Sequence, residues 1–237
     1  MSNELLILLF TAATIGFFHT LLGPDHYLPF IVMTKAGKWS IRKTTLVTFL
    51  CGLGHVVSSV LLGFLGIGFG IAVSNLEGIE AFRGNIAGWA FIAFGLVYFI
   101  WGIRRAIRDK PHKHIHFHED GSNHLHTHSH QKEHVHIHEK ENTKKLTPWI
   151  LFTIFVLGPC EPLIPLLMYP AAKSSYLALL LVILVFAAVT IFTMLGVVLI
   201  STVGINFIHL KSFEKYAHAF AGATIFMSGV AIQFLGL

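Results

Sequence analysis

Long apolar runs alternate with short polar connections along this chain. Six runs stand out, over residues 4–22, 44–73, 85–103, 148–170, 176–203 and 216–237. Each exceeds the roughly 18 residues that a hydrocarbon core of about 30 Å demands of a spanning helix, so the pattern predicts six transmembrane helices. The second and fifth are longer than a bilayer requires and are expected to tilt or kink; the second is loosened by Gly52, Gly54, Gly63, Gly66, Gly68 and Gly70. Proline interrupts the pattern twice. Gly23-Pro24-Asp25-His26 closes the first run, and Gly158-Pro159-Cys160-Glu161 lies inside the fourth, each followed by another proline, Pro29 or Pro165. Proline removes a backbone donor and clashes with the preceding turn, so both helices should break there.

The two halves echo each other. Besides the paired Gly-Pro breaks, Ala87-Gly88, Gly95 and Gly102 in the third run recur at the same spacing as Ala221-Gly222, Gly229 and Gly236 in the sixth. Three runs per half force the repeats to be inverted in the membrane, an architecture in which broken helices meet at a midplane site. The expected fold is therefore all-α and polytopic, with six transmembrane helices as two inverted three-helix repeats. Residues 1–104 form the first repeat, 105–146 a polar connection and 147–237 the second repeat. The glycine series reads as close helix packing.

Composition agrees, with 54% hydrophobic residues, 12% charged residues and a mean hydropathy of +0.69. A net charge of +5 might suggest nucleic acid, but its source is topological. Lys35, Lys38, Arg42 and Lys43, nine residues between Arg104 and Lys145, and Lys211 and Lys215 fall in alternate connections, with only Arg83 and Lys173 opposite. That split of 15 to 2 excludes a nucleic-acid role and places the first, third and fifth connections in the cytoplasm and both termini outside a plasma membrane. The opening Met-Ser-Asn-Glu lacks the basic region and cleavage site of a secretory signal, so the first run is expected to remain as a span. Cys51 and Cys160 both lie in apolar runs and cannot make a secreted-type disulfide framework.

The third connection has another character. It carries eleven histidines in alternation: His112, His114, His116, His118, His124, His126, His128, His130, His134, His136 and His138. No apolar core can form from this composition, so the segment reads as a disordered cytoplasmic loop offering many weak sites to borderline divalent metals. Such a loop would buffer, deliver or sense metal, in exchange with a cytoplasmic donor or acceptor.

Ionisable side chains at membrane depth mark a site by default. In a continuous helix His19 and His26 would lie two turns apart, roughly 10 Å along the axis; the Gly23-Pro24 break lets them converge with Asp25. Two imidazoles and a carboxylate suit nickel, cobalt or zinc better than calcium or magnesium. His55 is the fourth ligand candidate, the competing reading being a packed histidine bonded to a neighbouring carbonyl. Ser58 and Ser59, a turn later on the same face, are placed to orient the ring or the ion. Glu161, between Pro159 and Pro162, is a candidate ligand, proton-coupling group or gate. Cys160 is either a soft ligand or packing material. His209 and His218 read as interfacial.

His19-x5-Asp25-His26 resembles a one-residue-longer form of the H-x4-D-H signature of nickel/cobalt permeases, and Leu53-Gly54-His55 followed by Ser58-Ser59 resembles their L-G-H-S element. The layout, with its histidine-rich third connection, is similar to the NicO-type nickel/cobalt transporter family within the lysine-exporter superfamily. The resemblance implies that His19, Asp25, His26 and His55 bind the metal and, from the loop's placement, that transport leans towards efflux. Two other resemblances compete. Gly158-Pro159-Cys160 followed by prolines also resembles the membrane electron carriers of cytochrome c biogenesis, which use a pair of intramembrane cysteines; here Asp25 stands where the partner cysteine would be. An anion or organic-solute exporter would instead hold its cargo at helix N-termini opened by the prolines. A metallohydrolase would need an H-E-x-x-H arrangement, which is missing. The expectation is a secondary transporter, not an enzyme, that needs no prosthetic group and carries Ni2+ or Co2+ first and Zn2+ next.

Overall fold

The computed structural model describes residues 3–108, 112–117, 123–128, 140–173, 175–207 and 211–235. Among them eight α-helices follow one another: α1 (Asn3–Leu22), α2 (Leu28–Gly37), α3 (Ile41–Phe69), α4 (Val73–Arg108), α5 (Lys140–Leu157), α6 (Leu163–Ala172), α7 (Tyr176–Phe207) and α8 (Ala217–Leu235). The order is one helix, a break, a short helix and two long helices, given twice. Helix α1 packs on α7, α3 on α5, and α4 on α8.

Both breaks fall where proline predicts them. Gly23, extended at φ −86° and ψ 93°, ends α1, and Pro24–His26 forms a single 3₁₀ turn before α2 begins with Pro29 in its first turn. Helix α2 is buried over most of its length and is closed by Lys38 in the left-handed conformation, φ 49°. The second break, Gly158 to Pro162, separates α5 from α6.

That second break divides one of the expected spans. Six spans were expected, yet among the described residues five helices are long and apolar enough to cross a membrane: Asn3–Leu22, Ile41–Phe69, Val73–Arg108, Tyr176–Ile205 and Glu214–Leu235. The fourth apolar run is divided at its prolines into α5, apolar only over Leu146–Leu157, and the ten-residue α6. Neither piece spans alone.

Helix α4 also departs from expectation. It begins twelve residues before the expected start at 85 and runs for 36 residues, about 54 Å at 1.5 Å per residue. Glu80 and Arg83, the latter expected in a connection, therefore lie within a helix. Between Gly88 and Gly102 α4 meets α8 at close quarters, backbone to backbone from Ile92 onward. A Cβ on Gly95 would collide with the backbone of Phe226, one on Gly222 with that of Phe99, and one on Gly229 would lie 2.7 Å from Ile92 N. The repeated glycines are a packing seam of the small-residue kind; Gly236 lies outside the described residues.

Two apolar clusters fill the interior. One joins Phe30 and Met33 of α2 to Phe91, Leu151, Phe155, Met194 and Ile225; the other joins Ala12 and Val56 to Cys160, Leu163, Leu167 and Phe186. Outward-facing Phe10, Phe69, Phe192 and Ile200 are each more than 70% exposed, as befits helices whose solvent is lipid. In the histidine-rich connection, read from composition as lacking regular structure, the backbone of β1 (His112–Phe117) pairs antiparallel with β2 (Asn123–His128), His112 opposite His128. His118, His130, His134, His136 and His138 lie outside the described residues, as does His209.

Candidate metal centre

The breaks bring together three imidazoles. His19 comes from the last turn of α1, His26 from the 3₁₀ turn and His55 from the middle of α3. Ring centroids lie 4.8 Å apart for His19 and His26, 5.1 Å for His26 and His55, and 6.3 Å for His19 and His55. One ligand nitrogen from each lies within 4.8 Å of the others, a spacing one ion can bridge once the rings close on it. The break is what allows this.

Gly23 is obligatory at this point. A Cβ there would sit 2.6 Å from His26 Nδ1 and 2.9 Å from Asp25 Oδ1, so any side chain would displace the groups that organise the centre.

The hydrogen bonds decide which nitrogen faces inward. His26 Nδ1 donates to Gly23 O and to Asp25 Oδ1, each at 3.2 Å, and His55 Nδ1 donates to Phe155 O at 3.4 Å. Carbonyl and carboxylate oxygens only accept, so each of these Nδ1 atoms carries a proton and, in the neutral ring, the Nε2 lone pair is free. The Nε2 atoms of His19, His26 and His55 are all buried with no hydrogen-bond partner. An orphaned buried nitrogen is costly, and three converging imidazoles that each carry one form a group that could hold a metal ion through nitrogen alone.

The other expected site residues are placed differently. Asp25 is not one of the three converging groups: it stands beside His26, its Oδ1 3.2 Å from Nδ1, where a carboxylate orients an imidazole. Ser58 and Ser59 do not touch the His55 ring. Ser58 Oγ donates to His55 O at 2.8 Å and accepts from Arg83 Nη2 at 2.7 Å, and Ser59 Oγ accepts from Arg83 Nη1 at 3.4 Å. The Cys160 side chain is buried in an apolar cluster, whereas Glu161 is exposed at the mouth of a cavity. His218 bonds Tyr98 Oη and Arg105 at the opposite end of α4, away from the centre.

Sequence reasoning missed the pair that holds this region together. Glu80, fully buried, receives Arg83 Nη1 at 2.6 Å on Oε1 and the Cys160 backbone N–H at 3.1 Å on Oε2. Arg83 Nη2 also donates to Val156 O at 2.7 Å and Gly158 O at 3.4 Å. These are backbone groups orphaned by the α5–α6 break, so the pair satisfies the break while tying it to α3. The Glu-x-x-Arg spacing beside an apolar run was the available signal.

Helices long and apolar enough to cross a bilayer, wrapped around buried polar groups at two breaks, define a multi-pass membrane protein. The chain belongs to the cytochrome C biogenesis protein transmembrane region family, whose model matches residues 28–231. No curated protein and no solved structure matches it. The family match overturns the resemblance to NicO-type nickel/cobalt transporters, which rested on two short motifs where the match spans most of the chain. By kinship the chain stands closer to thiol–disulfide transfer, the alternative raised by Gly158-Pro159-Cys160, than to nickel or cobalt transport. The matched region opens at Leu28, past His19, Asp25 and His26.

Proposed function

We propose that the protein moves a divalent transition-metal cation, nickel or cobalt first and zinc next, across the membrane by exchanging its hydration for the imidazoles of His19, His26 and His55. One observation carries this reading: three buried Nε2 atoms converge without any partner. The protein acts as a carrier, not an enzyme, and the ion is cargo rather than a prosthetic group. Two inverted halves exchanging access to a central site fit the doubled element order, and the positive-inside rule puts the histidine-rich connection in the cytoplasm with both termini outside. Labelling of that connection by an impermeant reagent from outside intact cells would contradict this orientation.

The second reading is an intramembrane thiol–disulfide carrier, supported by the family match and by Cys160 at the break. It needs two thiols that meet. Cys51 and Cys160 are both free and buried, in separate apolar clusters, which favours the metal reading. Flux of nickel, cobalt and zinc into reconstituted vesicles separates the two. His26→Ala and His55→Ala should abolish flux with insertion intact, while Cys160→Ser should be mild; no metal flux in the parent protein, with reductant transfer lost in Cys160→Ser, would establish the thiol carrier instead.

A further inference from the structure

Two of the three imidazoles, His19 and His26, line a cavity. A cavity of about 750 Å³ lies against His19, Asp25 and His26, bounded by α1, α4 and the α5–α6 break. A second cavity of about 550 Å³ adjoins it, sharing Ala81, Glu161 and Pro162, and is walled by Glu77. At about 30 Å³ per water in the liquid, either has room for a hydrated ion.

Its two carboxylates are well placed to receive a cation. Glu77 and Glu161 are both exposed to the cavities, and neither has a hydrogen-bond or ion-pair partner among the described residues. His26, only 3% exposed, lines the inner cavity and has its Nε2 unpartnered. Carboxylates lead inward to a buried, unsatisfied nitrogen.

Aromatic rings pack behind the centre. Phe155 packs on Phe30 at 4.7 Å and on Phe91 at 6.0 Å between ring centroids, with the His55 ring 6.4 Å away. These rings belong to the apolar cluster that continues along α2, α5 and α8 towards the end where α4 stops at Arg108 and the histidine-rich connection begins. Glu77 lies at the other end of the same helix, as its fifth residue.

We propose that Glu77 and Glu161 form an acidic staging site for the divalent cation at the α3–α4 end of the bundle, from which it passes by Asp25 to the imidazoles, with Phe30 and Phe155 closing the other end. The inference rests on the metal-transport reading. Carboxylate oxygens hold a borderline ion less firmly than imidazoles do, so the staging site concentrates the ion and then yields it.

The test uses the full chain in vesicles, with initial Ni2+ flux measured against metal and salt concentration. At low metal and low salt, the Glu77→Gln/Glu161→Gln double variant should be slowed about tenfold, in line with electrostatic steering; the gap should close at saturating metal or high salt, where steering no longer limits the rate. The Glu77→Asp/Glu161→Asp variant should recover most of the rate. Equal flux at low metal, a loss that persists at every metal and salt concentration, or failure of the aspartate variant to recover would each overturn the staging site. Absent Ni2+ flux in the parent protein would instead remove the transport reading on which it rests. Independently, an impermeant thiol reagent should reach Glu161→Cys from the side opposite the one from which it reaches Arg108→Cys. Labelling from the same side would refute one-ended access.

Discussion

Two imidazoles of the centre, His26 and His55, have their two nitrogens assigned to different tasks, and that division makes the cluster useful. His26 and His55 give their Nδ1 protons to Gly23, Asp25 and Phe155 and keep Nε2 for the centre. Asp25 contributes charge and orientation from beside His26. Replacing such an outer partner typically costs 10–100-fold in metal affinity, so Asp25→Asn should weaken Ni2+ binding by about that factor while the protein still inserts. Titration of the purified protein with Ni2+ measures it, and an unchanged affinity would show that Asp25 does not support the ring. Acid should also weaken binding, because a protonated imidazole cannot ligate.

The broken helices need more than proline, since every break strands donors and acceptors where no water can satisfy them. At the first break the 3₁₀ turn and Gly23 absorb the strain locally. At the second, Glu80 and Arg83 supply the missing partners from α4. Removing one member of a buried pair leaves an uncompensated charge, typically 3–5 kcal/mol. Arg83→Ala should therefore lower the thermal midpoint in detergent sharply, and Glu80→Leu/Arg83→Met should lose less than Arg83→Ala despite changing two residues. A double variant worse than the single would mean that the contacts to Val156, Gly158 and Cys160 outweigh the charge pair. Much of this was legible in the sequence: His19, His26 and His55 stood out as ring nitrogens inside apolar runs, and the Gly-Pro steps announced the breaks. Glu80 and Arg83 did not, because charges flanking an apolar run look like a connection, and only the length of α4 places them inside. The partners of Ser58 and Ser59 were hidden for the same reason, since Arg83 reaches them from another helix.

Taken together, the elements form a doubled bundle with a histidine-rich connection between its halves. If that connection only raises the local metal concentration, deleting residues 111–141 should raise the metal level needed for half-maximal flux and leave the maximal rate near its original value. Complete loss at saturating metal, with normal insertion, would put the loop in the transport path itself. Six continuous spanning helices do not appear among the described residues because an apolar run of adequate length says nothing about continuity: residues 148–170 are apolar enough, but Pro159 and Pro162 divide them into two pieces. The glycine contacts between α4 and α8 carry a mechanical consequence. Backbones that touch at Gly95, Gly222 and Gly229 interlock like teeth, so the last helices of the two halves can neither slide past each other nor separate without losing contact along their length. The seam is a fulcrum. In the proposed carrier, such a seam would confine relative movement of the halves to rocking about it. A centre close to such an axis can change the end at which it opens while its ligands hardly move.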